Sequence, residues 1–199
     1  AQVIAAAEPE LKAGELAERY RKIRRTPAFR QSERPPRRVF VLSRVTLGAD
    51  IAVTSVLLDA AKRRFAGAEI ILAGSQASHR LFGRDPRIGW REITYGRGGF
   101  LRERLATGRK LAELLSDPES IVVDPDSRLT QLGLFPVAPL DRYYFFDSRS
   151  YGGDSADPLP VLAARWAAEV FGVTGAAAFI APAPETPFDQ LDGAIVVNL

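Results

Sequence analysis

Residues 38–59 read RVFVLSRVTLGADIAVTSVLLD, and this stretch decides the fold class. Val39 to Leu42 is a short run of apolar, β-favouring residues, which is the pattern of a parallel strand buried on both faces. From Ile51 onward apolar residues recur along roughly one side of a helix. The stretch therefore predicts a strand, a turn and a helix, the repeating unit of an α/β protein.

Polar residues gather in the turn of this unit. Ser43, Arg44 and Thr46 follow the strand, and Gly48 is predicted to take a positive φ so that the chain turns before Asp50 opens the helix. Ligands of open α/β sheets bind at such turns, because strand carboxyl ends and helix amino ends meet there. The turn is therefore the first candidate site.

Asp50 has two interpretations. It is either a helix N-cap or first-turn acid, which the helix dipole favours, or a general base that takes a proton from a substrate hydroxyl. The two roles are compatible because a cap residue can also face a ligand. The spacing alone does not separate them.

Composition excludes several kinds of chemistry. The 199 residues, 46% hydrophobic and 26% charged, are enough for one substantial core, and no apolar run approaches the roughly 20 residues of a membrane span. No signal-peptide pattern appears at the start, so a cytoplasmic protein is expected. There is no cysteine, and His79 is the single histidine, which excludes disulfides and thiolate sites and leaves little room for a histidine-based site. Methionine is absent even at position 1, so we expect a fragment or omitted residues.

The basic charge belongs to the beginning of the chain. Residues 1–38 carry a net charge of +5, whereas residues 39–199 carry −2. A helix is predicted over residues 8–25, and its basic end could meet an anionic membrane surface or nucleic acid, although docking on its own domain is the more usual role of such a helix. We expect residues 1–37 to form a helical basic leader and linker, with peripheral membrane contact through residues 12–38 as one alternative.

The strand and helix pattern then repeats along residues 38–181. Further strands are predicted at residues 68–73, 89–95, 120–123 and 142–146, and helices at residues 75–82, 100–115 and 159–171. Strands that alternate with helices predict a Rossmann-like, doubly wound parallel sheet. Residues 174–181 are predicted as a small-residue strand, 182–187 as a proline-rich linker, and 193–199 as the first strand of a further domain that should follow.

Two more strand ends carry polar side chains. Asp124, Asp126 and Arg128 follow the fourth strand in a sequence that also suits a turn, and Arg149 follows the fifth. Together with Arg44 these arginines would make one edge of the sheet electropositive, which suits an anionic, phosphorylated substrate. The acids do not have a spacing expected for a divalent metal, so no metal site is predicted, although Asp124 with Asp126 leaves one open.

A glycine-rich loop at residues 96–99 precedes a predicted helix. It could hold a phosphate or cover the crevice as a mobile loop. Its glycines do not match the dinucleotide fingerprint.

These stretches resemble the amino-terminal domain of glycosyltransferase family 9, the ADP-heptose:lipopolysaccharide heptosyltransferases and their relatives. The stretch VLSRVTLGADIAVTS at residues 41–55 is similar to the family's opening strand, Leu-Gly-Asp turn and Thr-containing helix. AEIIL at 68–72 and IVVD at 121–124 are similar to later strands, and IVVNL at 195–199 to the first strand of the carboxyl-terminal domain. In the family the aspartate follows the turn glycine directly, whereas here Ala49 stands between them.

The resemblance implies the amino-terminal half of a GT-B fold and an inverting, metal-independent glycosyltransferase. It implies that Asp50 is the catalytic base, and that the donor is a nucleotide sugar, ADP-linked in the family, with no further cofactor. The acceptor would be a glycan or glycolipid such as lipopolysaccharide, met in the cytoplasm at the inner membrane face, and no nucleic-acid partner is expected. The expected substrate-binding residues are Ser43, Arg44, Thr46, Gly48, Asp124, Asp126, Arg128 and Arg149, with Asn198 on the donor side.

Two alternatives come from other functional classes. One is a Rossmann-like nucleotide-binding oxidoreductase, although residues 46–50 supply a single glycine for the dinucleotide turn. The other is a non-catalytic scaffold that keeps the fold and binds a partner through the basic leader.

Overall fold

The computed structural model describes residues 2–8, 10–25, 28–30, 35–96, 98 and 100–182. Its centre is a sheet of five strands in the order β3-β2-β1-β4-β5, and every neighbouring pair is parallel. The strands are β1 Arg38–Leu42, β2 Glu69–Gly74, β3 Ile88–Glu92, β4 Ser120–Asp124 and β5 Tyr143–Phe145. The predicted Rossmann-like, doubly wound α/β fold is therefore confirmed.

Helices cover both faces of this sheet. They are α1 Gln2–Ala7, α2 Ala13–Ile23, α3 Leu47–Ala49, α4 Ser55–Arg64, α5 Gln76–Arg80, α6 Leu101–Leu114 and α7 Leu159–Phe171. A π-helical turn, Asp50–Thr54, joins α3 to α4, and 3₁₀ turns lie at Arg128–Thr130 and Leu140–Arg142. The predicted helices over residues 75–82, 100–115 and 159–171 correspond to α5, α6 and α7.

The strands divide their side chains between two cores. Val41 and Tyr144 belong to the core beneath α4 and α7, whereas Phe40 and Tyr143 belong to the core beneath α1, α2 and α6. Successive side chains of a strand point to opposite faces, so a strand buried on both faces must be apolar at every position. This is why the central strands are continuous apolar runs.

The basic leader packs against its own domain. Leu16 and Ile23 of α2 are buried against the face that carries Tyr143, and the Arg19 guanidinium lies 4.8 Å from the Tyr143 ring centroid. Phe29 packs on the other face, with its ring centroid 5.0 Å from that of Phe65. The leader thus covers both faces beside the edge strand β5. The structure has two helices here, α1 and α2, where the sequence predicted one.

Two predictions for the turn after β1 are wrong. The helix after β1 begins at Leu47, with Thr46 as its N-cap, so Asp50 does not open it. Gly48 lies inside that helix, and Val45 takes the positive φ of the turn, at 76°. Left-handed backbone is strained for a β-branched residue, and such strain clusters at functional sites.

Residues 174–181 form no strand, also against prediction. Their backbone groups bond instead to α4 and to the turn after α5: the N–H of Ala177 donates to Asp59, that of Phe179 to Ser55 Oγ, and that of Ala181 to the carbonyl of Leu81. The predicted final strand at 193–199, Asn198, and Arg97 and Gly99 of the glycine-rich loop lie outside the described residues. Among the helices that are described, none combines the length and apolarity needed to cross a membrane.

Candidate functional site at the carboxyl edge of the sheet

The candidate site lies where the strand order reverses. The chain leaves β1 towards β2 on one side and β4 lies on the other, which is the position where open α/β sheets form their ligand crevice. Ser127 Oγ spans this point by donating a hydrogen bond of 2.5 Å to the carbonyl of Ser43. The turns after β1 and β4 are therefore held together at the floor of the crevice.

Asp50 lies behind the end of β1 with no exposed surface. Its Oδ1 accepts hydrogen bonds from the Arg44 backbone N–H (2.7 Å) and the Thr54 hydroxyl (2.8 Å), and its Oδ2 accepts one from Ser43 Oγ (2.7 Å). A buried carboxylate needs such donors because an unpaired charge in the interior is costly. These bonds fix the turn, and a ligand in the crevice meets the hydroxyl of Ser43 before it meets Asp50.

Ser43 also belongs to a cluster of hydroxyls. Its Oγ lies 3.1 Å from Ser78 Oγ, and Ser78 Oγ lies 3.1 Å from the Oγ of Ser75, the side-chain N-cap of α5. Ser43 and Ser75 line a cavity of about 110 Å³ together with Thr94 and Tyr95. The volume is that of a few water molecules, so the cavity suits one polar group of a ligand.

The hydroxyl cluster depends on the glycine that ends β2. A Cβ on Gly74 would lie 2.5 Å from the Cβ of Ser43, closer than real side-chain atoms approach. The N–H of Ser43 donates to the carbonyl of Ala73, which holds the two strand ends at this separation. Glycine at position 74 is therefore required for Ser43 to reach both Asp50 and Ser78.

We expect Gly74→Ala to lower the free energy of unfolding by about 1–3 kcal/mol, because the added methyl overpacks a closed site. Gly89→Ala is the matched control: it is also a strand glycine, but its Cβ would meet atoms only at 3.5 Å or beyond. The control should lose no stability. Urea denaturation of both variants measures the difference, and equal stability of the two variants would contradict the packing argument.

Arg44 and Arg149 face one carboxylate at the rim of the crevice. Arg149 Nε lies 3.3 Å and Arg44 Nη2 lies 3.8 Å from Asp126 Oδ2, and Ser148 Oγ joins them by accepting from Arg44 and donating to Asp126. The Arg44 side chain is only 15% exposed, and its Nη1 is buried with no hydrogen-bond partner among the described residues. Burial lowers the pKa of Arg44 below its ordinary value, and the carboxylate of Asp126 opposes that shift. An anionic ligand can approach this rim at the Arg149 side chain, which is 61% exposed.

Asp124 ends β4 and is fully buried. It accepts hydrogen bonds from the Ser127 N–H (2.6 Å), the Thr130 hydroxyl (2.6 Å) and the Tyr143 hydroxyl. Burial raises the pKa of Asp124 to about 6 although these donors act in the opposite direction. Asp124 therefore organises the turn beneath the rim and does not face the crevice.

The structure brings only part of the predicted set together. Ser43, Arg44 and Asp50 are in direct contact, and Arg44, Asp126 and Arg149 meet at the rim. Thr46 makes no side-chain cap bond, Gly48 lies exposed in α3, and the Arg128 side chain is exposed. The polar residues that the sequence did not single out as contacts are Thr54, Ser75, Ser78, Ser148 and Tyr143. Serine and threonine are common at helix caps and turns, so their presence in the sequence does not identify them as residues of a site.

Larger cavities lie elsewhere on the domain. One of about 600 Å³ lies at the amino edge of the sheet beside Pro118 and Arg142, and the Arg142 guanidinium there is engaged with the carbonyls of Leu115 and Asp117. Ligands of parallel sheets bind at the carboxyl edge, where strand ends and helix amino termini converge. Another cavity, of about 500 Å³, lies beyond the end of the edge strand β5 beside Asp147 and Ser150. The smaller cavity beside Ser43 is the better candidate because it lies at the end of β1, where the strand order reverses.

Fold and site together define a Rossmann-like α/β protein with a polar crevice at the carboxyl edge. Within the part of the chain that the structure describes, no three or more His, Cys, Asp and Glu residues are grouped where they could hold a metal ion. Comparison with protein-family models, curated proteins and solved structures found no match to this chain.

Proposed function

We propose that this chain is the acceptor-side domain of an inverting, metal-independent glycosyltransferase. The observation that carries the proposal is the position of Asp50: a buried carboxylate behind the end of β1, joined through the Ser43 hydroxyl to a cavity at the carboxyl edge. Inverting transfer needs one base, which removes the acceptor proton as the acceptor oxygen attacks. The nucleoside diphosphate then leaves from the opposite face of the sugar.

The rim supplies charges that fit a phosphorylated substrate. Arg44 has a buried nitrogen without a hydrogen-bond partner among the described residues, and Arg149 is 61% exposed beside it. Guanidinium groups bind phosphate oxygens by charge-assisted hydrogen bonds and orient them. We propose that these two arginines position a phosphate of the acceptor or donor, and that Arg128 contributes from the exposed turn after β4.

The π-helical turn supports assigning the base role to Asp50. In glycosyltransferase family 9, which the sequence resembles, the aspartate follows the turn glycine directly, whereas Ala49 intervenes here. The N–H of Ser55 donates to the carbonyl of Asp50 across five residues, so this turn holds one residue more than an α-helical turn. Such a turn can absorb an extra residue without rotating α4 away from its core.

The acceptor we propose is a glycan or glycolipid of the lipopolysaccharide type, and the donor is a nucleotide sugar that carries a heptose-like group. We place the reaction in the cytoplasm, at the inner membrane face. Arg21, Lys22 and Arg25 of the leader are exposed and available to anionic lipid, although the first two also pair with Glu18.

Calorimetric titration of the full-length gene product with ADP, UDP, GDP and NAD, each measured separately, tests the proposal. We expect one nucleoside diphosphate to bind selectively, because a transferase must hold its leaving group. ADP is the expected ligand, since the resemblance points to ADP-linked heptose.

Each other outcome points to a different class. Selective binding of NAD would indicate a Rossmann-like oxidoreductase and not a glycosyltransferase. Binding of none of the four ligands would favour a non-catalytic scaffold, in which Asp50 only holds the turn together.

A further inference from the structure

A continuous row of hydroxyl groups connects the cavity with Asp50. Ser43 Oγ lies 2.7 Å from Asp50 Oδ2, Ser78 Oγ lies 3.1 Å from Ser43 Oγ, and Ser75 Oγ lies 3.1 Å from Ser78 Oγ. Asp50, Ser43 and Ser78 are at most 1% exposed, whereas Ser75 is half-buried. Ser43 and Ser75 both line the cavity, but Ser43 Oγ is already bonded to Asp50, the Val45 N–H and Ser78 Oγ. The row therefore begins at the crevice and ends at a carboxylate that a substrate in the crevice does not touch.

The hydrogen bonds of this row have one direction. A carboxylate only accepts, so the single hydroxyl proton of Ser43 is donated to Asp50. Ser43 Oγ must then accept from Ser78, besides accepting from the Val45 N–H at 2.9 Å. The proton of Ser78 is thereby committed, so Ser78 in turn accepts from Ser75. Every donor in the row points towards Asp50.

Ser75 Oγ has room for one partner more. It accepts from the Ser78 N–H at 3.2 Å, as the N-cap of α5, and donates to Ser78 Oγ. A hydroxyl oxygen has two acceptor positions, so one of them stays available on the cavity side. A substrate hydroxyl in the cavity can donate to that position.

We infer that Ser75, Ser78 and Ser43 relay the proton of the acceptor hydroxyl to Asp50. This inference rests on the proposed glycosyl transfer. As the acceptor oxygen bonds to the anomeric carbon and the bond to the nucleoside diphosphate breaks, the acceptor proton passes to Ser75 Oγ. Ser75 gives its own proton to Ser78, Ser78 to Ser43, and Ser43 to Asp50. The three serines end as neutral hydroxyls, Asp50 becomes a carboxylic acid, and the diphosphate carries away the electron pair.

Two substitutions of Ser75 separate proton transfer from helix capping. Both threonine and asparagine cap helices well, so both should preserve α5. Only threonine has a hydroxyl proton to pass to Ser78, because an asparagine amide does not exchange protons in this way. The two variants therefore differ in proton transfer to Ser78 and are matched in the capping of α5.

The assay measures release of nucleoside diphosphate by the full-length gene product from ADP-heptose, UDP-glucose or GDP-mannose, with a lipopolysaccharide core preparation as acceptor. We expect Ser75→Asn to lower kcat about a hundredfold with little change in KM, since losing the route to the base equals losing the base. Ser75→Thr should recover most of that rate. In the double variant, Asp50→Asn combined with Ser75→Asn should cost no more than Asp50→Asn alone, because both changes interrupt one path.

Three results would overturn the relay and leave the proposed transferase intact: full activity of Ser75→Asn, an equal loss in Ser75→Thr, or additive losses in the double variant. If the unaltered protein transfers none of the three sugars, the proposed function itself fails, and the relay fails with it. The two failures are distinguishable, because the second is seen in the unaltered protein.

Discussion

Replacing Asp50 by asparagine is expected to lower the rate of sugar transfer about a hundredfold or more, which is the usual contribution of a general base. Asparagine has the same shape, and its carbonyl can still accept from the Arg44 N–H and the Thr54 hydroxyl. Its amide would donate to Ser43 Oγ, where Asp50 Oδ2 now accepts, and Ser43 would then donate to Ser78, so the turn should keep its conformation. The amide cannot take up a proton, however. The measurement is kcat of the full-length gene product, with nucleoside diphosphate release as the signal.

A second buried group in the same helix provides the control. Ser55 is buried, and its backbone N–H donates to the carbonyl of Asp50. Its hydroxyl donates to the Ile51 carbonyl and accepts from the Phe179 N–H, so the bonds of this side chain involve none of the polar groups that line the crevice. Ser55→Ala should cost about 1 kcal/mol of stability through its lost hydrogen bonds and leave kcat unchanged. If Asp50→Asn reduces kcat well under tenfold, or only as much as Ser55→Ala does, Asp50 is a structural residue and not the base.

The strands of the sheet could be predicted from the sequence, because a strand that is buried on both faces is a continuous run of apolar residues. β1, β2 and β4 are continuous apolar runs in the sequence, and all three occur within two residues of their predicted bounds. The same argument predicted that polar residues at several strand ends would meet at one edge, and Arg44, Asp126 and Arg149 do so. Parallel strands make this inference safe, since their carboxyl ends must share an edge.

The sequence was insufficient wherever tertiary contacts decide the conformation. Gly48 was the obvious residue for a positive φ, but the turn takes that conformation at Val45, where the bonds from Arg44 and Ser43 to Asp50 hold it. Residues 174–181 are mostly small, and the sequence predicted a strand there, yet their backbone groups bond to side chains of α4 and to Leu81 in the turn after α5. Local propensity does not include such partners.

The hydroxyl row could not have been predicted from spacing. Ser43 and Ser78 are separated by 35 residues, and they meet because Gly74 lets two strand ends approach closely. A serine that caps a short helix is common, so Ser75 gives no functional signal by itself. A site made of ordinary residues becomes visible only when their distances are known.

The stability of the domain is expected to depend on pH through Asp124. Burial raises its pKa in the folded protein to about 6, whereas the ordinary value of 3.8 applies to the unfolded chain. The folded state therefore binds the proton more tightly, and protonated Asp124 stabilises the fold fully below about pH 4. That stabilisation is lost as the pH rises through about 6, and the shift corresponds to about 3 kcal/mol.

Urea denaturation of the unaltered protein and of Asp124→Asn between pH 4 and 7 tests this, because asparagine resembles the protonated acid and does not titrate. The stability of the unaltered protein relative to the variant should fall by about 2 kcal/mol from pH 4 to 7, since part of the effect lies below pH 4, where the carboxyl of the unfolded chain becomes protonated. A difference that rises with pH would mean that the donors from Ser127, Thr130 and Tyr143 outweigh burial and keep Asp124 ionised. Asp124 would then stay negatively charged at every pH of the experiment. Arg44 would face two fixed carboxylates, Asp126 directly and Asp124 below it.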